Sequence, residues 1–326
     1  MTPGSPSGGR VFRRAVVTGG AGFLGSNLCR ALLAAGTRVV CVDDLSTGTA
    51  EAVEPLRGDP GFELVVADVS DGLSVAGDVD LVLHFASAAS PPQYLARPVE
   101  TLRVGSAGTH HALCLARDRG ARFVMASTSE VYGDPLRHPQ REDYWGNVNP
   151  VGPRSVYDEA KRFAEALTTA FGHAEGVDVG IVRIFNTYGP GLRPHDGRAV
   201  PNFIRQALAG EPITVAGDGR QTRSLCYVDD LVRGVLALAR SGHRGPVNIG
   251  NPQEVTVRDL AVRIRDLAGS SSPLRFVEAA ADDPKRRCPD IALARRELGW
   301  APEVDLDEGL RRTISWFAST GLDRRS

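Results

Sequence analysis

The chain of 326 residues carries 38 Lys and Arg against 39 Asp and Glu, a formal net charge of -1. That balance leaves no electrostatic footprint for nucleic acid or an anionic membrane, so a small molecule is the expected partner. Cys29, Cys41, Cys114, Cys226 and Cys288 are an odd number with no C-x-x-C pair, which argues against a disulfide framework and a zinc site and fits a reducing cytoplasm; no metal is expected.

Residues 1–12 open with MTPGSPSGGR, which has no apolar stretch and reads as a flexible arm. No apolar run approaches the ~20 residues of a membrane span, so neither secretion nor membrane insertion is expected. From Arg14 a β-branched run ends in glycines, a helical pattern follows through Leu24, Leu28, Leu32 and Leu33, and a second apolar run, Val39 to Val42, closes on Asp43. This is a βαβ unit with G-x-x-G-x-x-G at Gly19, Gly22 and Gly25. Its glycines permit a tight turn, and its helix start offers free amides to a pyrophosphate. Asp43 falls where an acid holds the adenosine ribose diol. A carboxylate there with no arginine directly after it favours NAD over NADP.

Alternation continues through FELVVADVS, with Asp68 at a strand end, and DVDLVLHFASAAS, with Ala86 and Ser87 at the next. The run RFVMASTSEVYG places Thr128, Ser129 and Glu130 just past a strand's carboxyl end, the edge at which parallel sheets bind ligands. Helical crossovers are expected over Val99 to Arg119 and Ser155 to Phe171. His110 and His111, within the first, read as helix-surface or core residues. Tyr157 and Lys161 are four apart on the second crossover and share one helix face, so phenol and ammonium reach one volume. A phenol ionises near pH 10, about three units too high for a base at neutrality. A lysine and a positively charged nicotinamide nearby would favour the phenolate and make Tyr157 a proton acceptor.

After the strand VDVGIVRIF the texture changes. Prolines, glycines and short runs (ITVAGDG, SLCYVDD, GPVNIGN) predict a smaller mixed lobe, with packing helices near Leu231–Ala239, Val257–Leu267 and Leu306–Phe317. The expected class is α/β. Residues 13–185 form a Rossmann-type, doubly wound parallel sheet that binds NAD, and residues 186–326 form mostly a substrate lobe with some segments returning to the first domain.

The motifs TGGAGFLG, STSEVYGDP, YWGNVNPVGPRSVYDEAKR, RIFNTYGP, NFIRQAL, GDGRQTRSLCYVDDL, NIGNP, DDPKRRCPDI and LGW span nearly the whole chain. Together they resemble the extended short-chain dehydrogenase/reductases that act on nucleotide sugars, closest to the UDP-glucuronic acid decarboxylases, or UDP-xylose synthases. The resemblance implies a triad of Thr128, Tyr157 and Lys161. Tyr157 takes the proton of the sugar C4 hydroxyl, Thr128 shares its hydrogen bond, and Lys161 holds the nicotinamide ribose and depresses the tyrosine. The resulting C4 ketone makes the C5 carboxylate a β-keto acid that loses CO2 once its enolate is stabilised. Protonation at C5 and return of the hydride give the pentose.

Related 4,6-dehydratases carry Asp-Glu where this chain has Ser129-Glu130. A second carboxylate would repel a uronic acid, so the serine suits one; the lesser alternative is that Ser129 merely caps the strand-to-loop turn. By the same resemblance Arg287 orients the substrate carboxylate or the enolate oxygen. Tyr94, Arg103, Asn186, Arg198, Asn202 and Arg223 surround the UDP-sugar. Phe23, Leu24, Ser46, Thr47, Gly48, Asp68, Val69 and Ala86 join Gly19, Gly22, Gly25, Asp43, Tyr157 and Lys161 around NAD. A homodimer through the two crossover helices is implied. The chain departs from the family at Gly105, where asparagine is usual, and at Ala216, where an aromatic ring is; Asp44 replaces asparagine and Arg103 replaces lysine. Other readings are an oxidative decarboxylase releasing UDP-4-keto-pentose and NADH, a 4,6-dehydratase or 4-epimerase, and, outside enzymes, an idle dinucleotide sensor.

Overall fold

Apolar runs separated by amphipathic helices form a sheet covered on both faces in the computed structural model, which describes residues 10–278 and 286–320. The first strands are β1 (Arg14–Thr18), β2 (Arg38–Asp43), β3 (Phe62–Val66), β4 (Leu81–His84), β5 (Arg122–Thr128) and β6 (Val179–Ile184). Between them lie α1 (Phe23–Ala34), α2 (Ala50–Val53), α3 (Pro91–Ala96), α4 (Pro98–Arg103), α5 (Thr109–Arg119) and α6 (Ser155–Ala174). Then follow β7 (Thr187–Tyr188), α7 (Ala199–Leu208), β8 (Ile213–Ala216), β9 (Thr222–Ser224), β10 (Cys226–Tyr227), α8 (Val228–Arg240), β11 (Pro246–Ile249), β12 (Glu254–Thr256), α9 (Val257–Leu267), β13 (Leu274–Val277), α10 (Ala292–Leu298) and α11 (Leu306–Thr320).

The main sheet has seven strands in the order β11-β6-β5-β4-β1-β2-β3, all parallel. Its strands are apolar on both faces because both are covered. Ala15 and Val17 pack into one core with Leu28 and Leu32 of α1 and Leu231 and Val235 of α8. Val16 between them packs into the other, with Leu113 of α5 and Ala164 of α6. Burying each such leucine contributes about 1.5–3 kcal/mol. The strand order reverses between β1 and β4, the place beyond whose carboxyl ends sheets of this kind bind their ligands.

Three expectations are corrected. The run GPVNIGN does not belong to the small lobe: Pro246–Ile249 pairs with β6 and completes the large sheet. The crossover expected as one helix from Val99 is broken, α4 passing through a π-helical turn, Val104–Gly108, into α5. Such bulges insert one extra residue, and period counting does not reveal them. Of the expected arm, 1–9 lie outside the described residues, but Phe12 is buried and its carbonyl accepts from the Thr37 hydroxyl at 2.9 Å, so residues 10–12 belong to the domain. Residues 279–285, with part of the DDPKRRCPDI motif, are also outside.

The small lobe is built of short pairs, β8 with β13, β9 with β12 and β7 with β10, backed by α7, α9 and α11. It stands beyond the carboxyl edge of the large sheet, where β7 follows directly from β6.

Candidate active site

Where the strand order reverses, the chain turns on glycines for steric reasons. Gly19 has φ +69°, and a Cβ there would lie 2.6 Å from the Ala86 amide nitrogen; at Gly25 it would lie 2.0 Å from the Gly19 carbonyl oxygen. Helix α1 starts at Gly22 without a side-chain cap and with no acidic residue in its first turn, which leaves its amides and positive dipole end to an external anion. Asp43 accepts from the amides of Ala21 and Leu45, both at 2.9 Å, and a Cβ on Gly48 would sit 2.7 Å from its carboxylate. Burial pushes the Asp43 carboxyl up and those amides oppose it. The cradle fits a dinucleotide: backbone donors at the turn and a buried acceptor one strand away.

The other predicted cofactor residues line this edge. Phe23 and Leu24 open α1, and Ala86 packs on Gly19. Asp68 accepts from the Ser70 amide at 2.7 Å, and the Val69 carbonyl meets His111 Nδ1 at 2.8 Å. Ser46 is held by Asp44 through its amide (3.0 Å) and hydroxyl (2.7 Å), and Thr47 and Gly48 follow in that turn.

Thr128 ends β5 and Tyr157 begins α6. Tyr157 is buried, its ring stacked on Tyr94 at 5.2 Å and 8°, and it shares a hydrogen bond with the Thr128 hydroxyl. Lys161 Nζ lies 5.7 Å from the Tyr157 ring centroid and donates to the Ala126 carbonyl at 2.9 Å. Burial pushes the Lys161 ammonium down to about 8. The expected depression of Tyr157 by Lys161 is not met in the protein alone. Burial, then the Glu130 charge, raises the phenol above its ordinary value, and Thr128 and Arg198 oppose this only in part. Sequence spacing reports proximity but not desolvation, and desolvation dominates here.

Glu130 sits in the tight turn after β5, a single carboxylate between two guanidinium groups. Arg287 grips both its oxygens, Nη1 on Oε1 and Nη2 on Oε2 at 2.9 Å, while Arg154 Nη2 donates to Oε2 at 2.7 Å. Burial by itself would raise the carboxyl, but Arg287 and Arg154 hold it at about 2. Nearby, burial and the Glu130 charge push Asp158 up to about 7. Among the described residues neither its Oδ1 nor the buried Tyr94 hydroxyl has a partner.

A network outside the cluster fixes the two elements that carry it. Arg183 clamps Glu165 of α6 at 2.8 and 2.7 Å, Glu165 accepts from the Ser127 hydroxyl of β5, and Arg183 also reaches the Tyr132 hydroxyl at 3.0 Å. On the far side of α6, a Cβ on Gly105 would lie 2.7 Å from the Ala160 Cβ, so the π-helical turn rests against the helix between Tyr157 and Lys161. Beneath, His84 bridges Thr18 (2.8 Å) and Thr109 (3.2 Å), and burial together with Lys161 pushes it down to about 3, a neutral strut.

Ser129 is buried beside Glu130, and Arg198 is paired with Asp196 close enough to lower the Tyr157 phenol. Asn186 follows β6, its carbonyl accepting from the Cys226 amide at 2.9 Å; Asn202 lies in the first turn of α7, and Arg223 on β9 donates to the Thr222 carbonyl at 2.8 Å. Arg103 is at the surface, its guanidinium on Asp71 at 2.8 Å rather than in the cluster. Sequence reasoning missed Arg154, Asp158 and His84. The available signal was a cation directly before the Tyr157 helix, at an end where the dipole disfavours positive charge.

His138, Glu254 and Cys288 bring a ring nitrogen, a carboxylate oxygen and a sulfur within 4.8 Å of one another. Each already has a protein partner: His138 Nε2 meets Glu254 at 2.9 Å, and the Cys288 thiol, pushed up by burial, donates to the Pro252 carbonyl at 3.3 Å.

Residues 15–250 match the NAD dependent epimerase/dehydratase family. The chain is 50% identical to UDP-glucuronic acid decarboxylase 1 of Xenopus tropicalis, covering 94% of this chain and 72% of that protein. It is 48% identical to UDP-glucuronic acid decarboxylase 1 of Arabidopsis thaliana, covering 97% and 72%. Among solved structures, UDP-N-acetylglucosamine 4-epimerase from Methanobrevibacter ruminantium M1 superposes with a TM-score of 0.88 at 27% identity, over 95% of this chain and 99% of that one.

Proposed function

The chain belongs to the NAD dependent epimerase/dehydratase family and, within it, to the UDP-glucuronic acid decarboxylases, and from this we propose that it converts UDP-glucuronic acid to UDP-xylose and CO2. One observation carries the reading at the level of the site: two arginines, Arg154 and Arg287, both hydrogen-bond one carboxylate, Glu130, beside a serine, so the pair has a guanidinium to offer a uronate.

In this reading Gly19, Gly22, Gly25 and the start of α1 hold the cofactor pyrophosphate and Asp43 the ribose diol. Phe23, Leu24, Ser46, Thr47, Gly48, Asp68, Val69 and Ala86 line the rest of the cradle. When bound, NAD supplies the acceptor for the C4 hydride, returns it at the end, and adds the positive charge that favours the Tyr157 phenolate. Tyr157 takes the C4 hydroxyl proton, with Thr128 orienting it. Lys161 exchanges the Ala126 carbonyl for the nicotinamide ribose. Once C4 is a ketone, the C5 carboxylate leaves as CO2, and Arg287 stabilises the enolate oxygen. Ser129 and Glu130 relay a proton to C5. Tyr94, Asn186, Arg198, Asn202 and Arg223 hold the nucleotide and sugar, and Arg103 joins them by leaving Asp71.

The protein is proposed to act as a homodimer. Val99 and Leu102 on α4 and Phe163 on α6 are 63%, 41% and 51% exposed on helices that pack together, an apolar face that a second copy would cover. Five free cysteines fit a reducing cytoplasm, and among the described residues no helix is long and apolar enough to cross a membrane.

Incubation with UDP-glucuronate, with the sugar product identified by mass and NMR, tests the reading. UDP-xylose with no accumulation of reduced nicotinamide is expected. Accumulating NADH with a 4-keto-pentose would replace it with an oxidative decarboxylase, and an untouched uronate alongside a dehydrated or inverted neutral hexose would overturn it.

A further inference from the structure

Arg154 has two attachments. Its backbone carbonyl accepts from the amides of Tyr157 and Asp158, both at 3.1 Å, and so begins the helix that carries the phenol. Its side chain crosses to the turn after β5 and ends on Glu130 Oε2 at 2.7 Å. One residue therefore fixes the distance between the phenol's helix and the carboxylate. Arg287 is placed differently, in an irregular segment before α10, and its own Nε is buried with no partner among the described residues. Glu130 thus has one holder anchored to a helix and one on a loop.

Charge gives this asymmetry its meaning. The groups facing Glu130 are Arg287 from that segment, Arg154, Tyr157 and Asp158 from the start of α6, and Tyr94 from α3. Without ligand, two guanidinium groups serve one carboxylate; a uronate brings a second, and two arginines then serve two. If both stayed on Glu130, the incoming carboxylate would be desolvated without a donor. If both left, Glu130 would be an unpaired buried charge, which is more costly than the pair.

We propose that Arg154 is a positioning residue that keeps Glu130 in the site as a carboxylate while Arg287 turns to the carboxylate of the substrate. The inference rests on the uronate decarboxylase reading for its second half only. The hold of Arg154 on Glu130 is a property of the protein without substrate. When Arg287 turns away, Glu130 loses half its positive neighbours and its proton affinity rises, which suits a group that must accept a proton and pass it to C5.

The test uses the full chain with NAD. The Glu130 carboxyl is titrated by carbon NMR on glutamate-labelled protein without substrate, assigned with Glu130→Gln, and the pH profile of kcat and the KM for UDP-glucuronate are measured alongside. In Arg154→Met the Glu130 titration should rise by about one pH unit or more. The acid limb of kcat should move up with it, and kcat should fall roughly tenfold or more while KM changes less. Arg154→Lys should recover most of both. Wild-type titration of Glu130 in Arg154→Met overturns the proposal, as does a fall in kcat with the acid limb unmoved. Should Arg154→Met not bind NAD, Arg154→Gln is titrated instead, and an unshifted Glu130 there overturns it equally. If the wild-type protein leaves UDP-glucuronate untouched, the functional reading fails, and the NMR arm still decides whether Arg154 holds Glu130.

Discussion

In the proposed cofactor cradle Gly19, Gly25 and Gly48 are packed so closely that none has room for a Cβ, whereas the proposed substrate half is made of charged side chains, Glu130 and Arg287 among them, from segments 157 residues apart. The first kind of site fails when an atom is added. The second fails when a partner is removed, because the group left behind is a buried charge. The two halves meet at Tyr157, which belongs to both.

The sharpest way to break this contrast is Gly25→Ala, one methyl group aimed 2.0 Å from the Gly19 carbonyl oxygen. NAD binding by calorimetry should be lost, with about 1–3 kcal/mol of stability; wild-type affinity would mean that the turn yields. Next is Tyr157→Phe, which removes a hydroxyl and adds nothing. Turnover should fall roughly 10²–10⁴-fold with NAD affinity kept, and stopped-flow mixing with substrate should leave the cofactor oxidised. Loss of NAD affinity in that variant would show that the phenol is needed to hold the cofactor and not only to take the proton.

Asp158→Asn is a smaller test, read as stability against pH. The Asp158 carboxyl is raised from 3.8 to about 7 in the folded protein, so the folded state binds more protons than the unfolded chain between those values, and stability falls as pH rises through that window. The asparagine variant escapes this. Its Tm should exceed wild type at pH 8, with the difference shrinking as the solution is made acid and gone below about pH 4. A difference that grows on acidification would reverse the assignment. The smallest effect belongs to Arg103→Ala. Its exposed pair with Asp71 should contribute no more than about 1 kcal/mol to chemical unfolding; a several-fold rise in KM for the UDP-sugar would show that this arginine leaves Asp71 when substrate binds.

The same contrast explains what the sequence disclosed. The glycine turn, Asp43 and the parallel sheet were legible because their determinants are local: glycines at fixed offsets, an acid at a strand tip, apolar runs of strand length. Thr128, Glu130, Tyr157 and Lys161 were legible as strand end and helix face, and Arg287 through the family resemblance. Arg154 was not singled out, since a cation before a helix carries no label saying what it touches 24 residues away. The state of Tyr157 in the protein without cofactor was not legible for a similar reason: burial is a property of everything packed around a group, including Tyr94 from another segment. The π-helical turn escaped because it adds one residue to a pattern otherwise helical on both sides, and the residue it packs against, Ala160 beside Gly105, lies in a different helix.

That closeness couples the outer surface to the chemistry. Bare backbone of the π-helical turn lies against Ala160, with no flexible side chain between them, and Ala160 stands on the same helix as Tyr157 and as the exposed Phe163. In a close-packed contact of that kind, a shift of the turn that follows Val99 and Leu102 has no void to disappear into before it meets the phenol's helix.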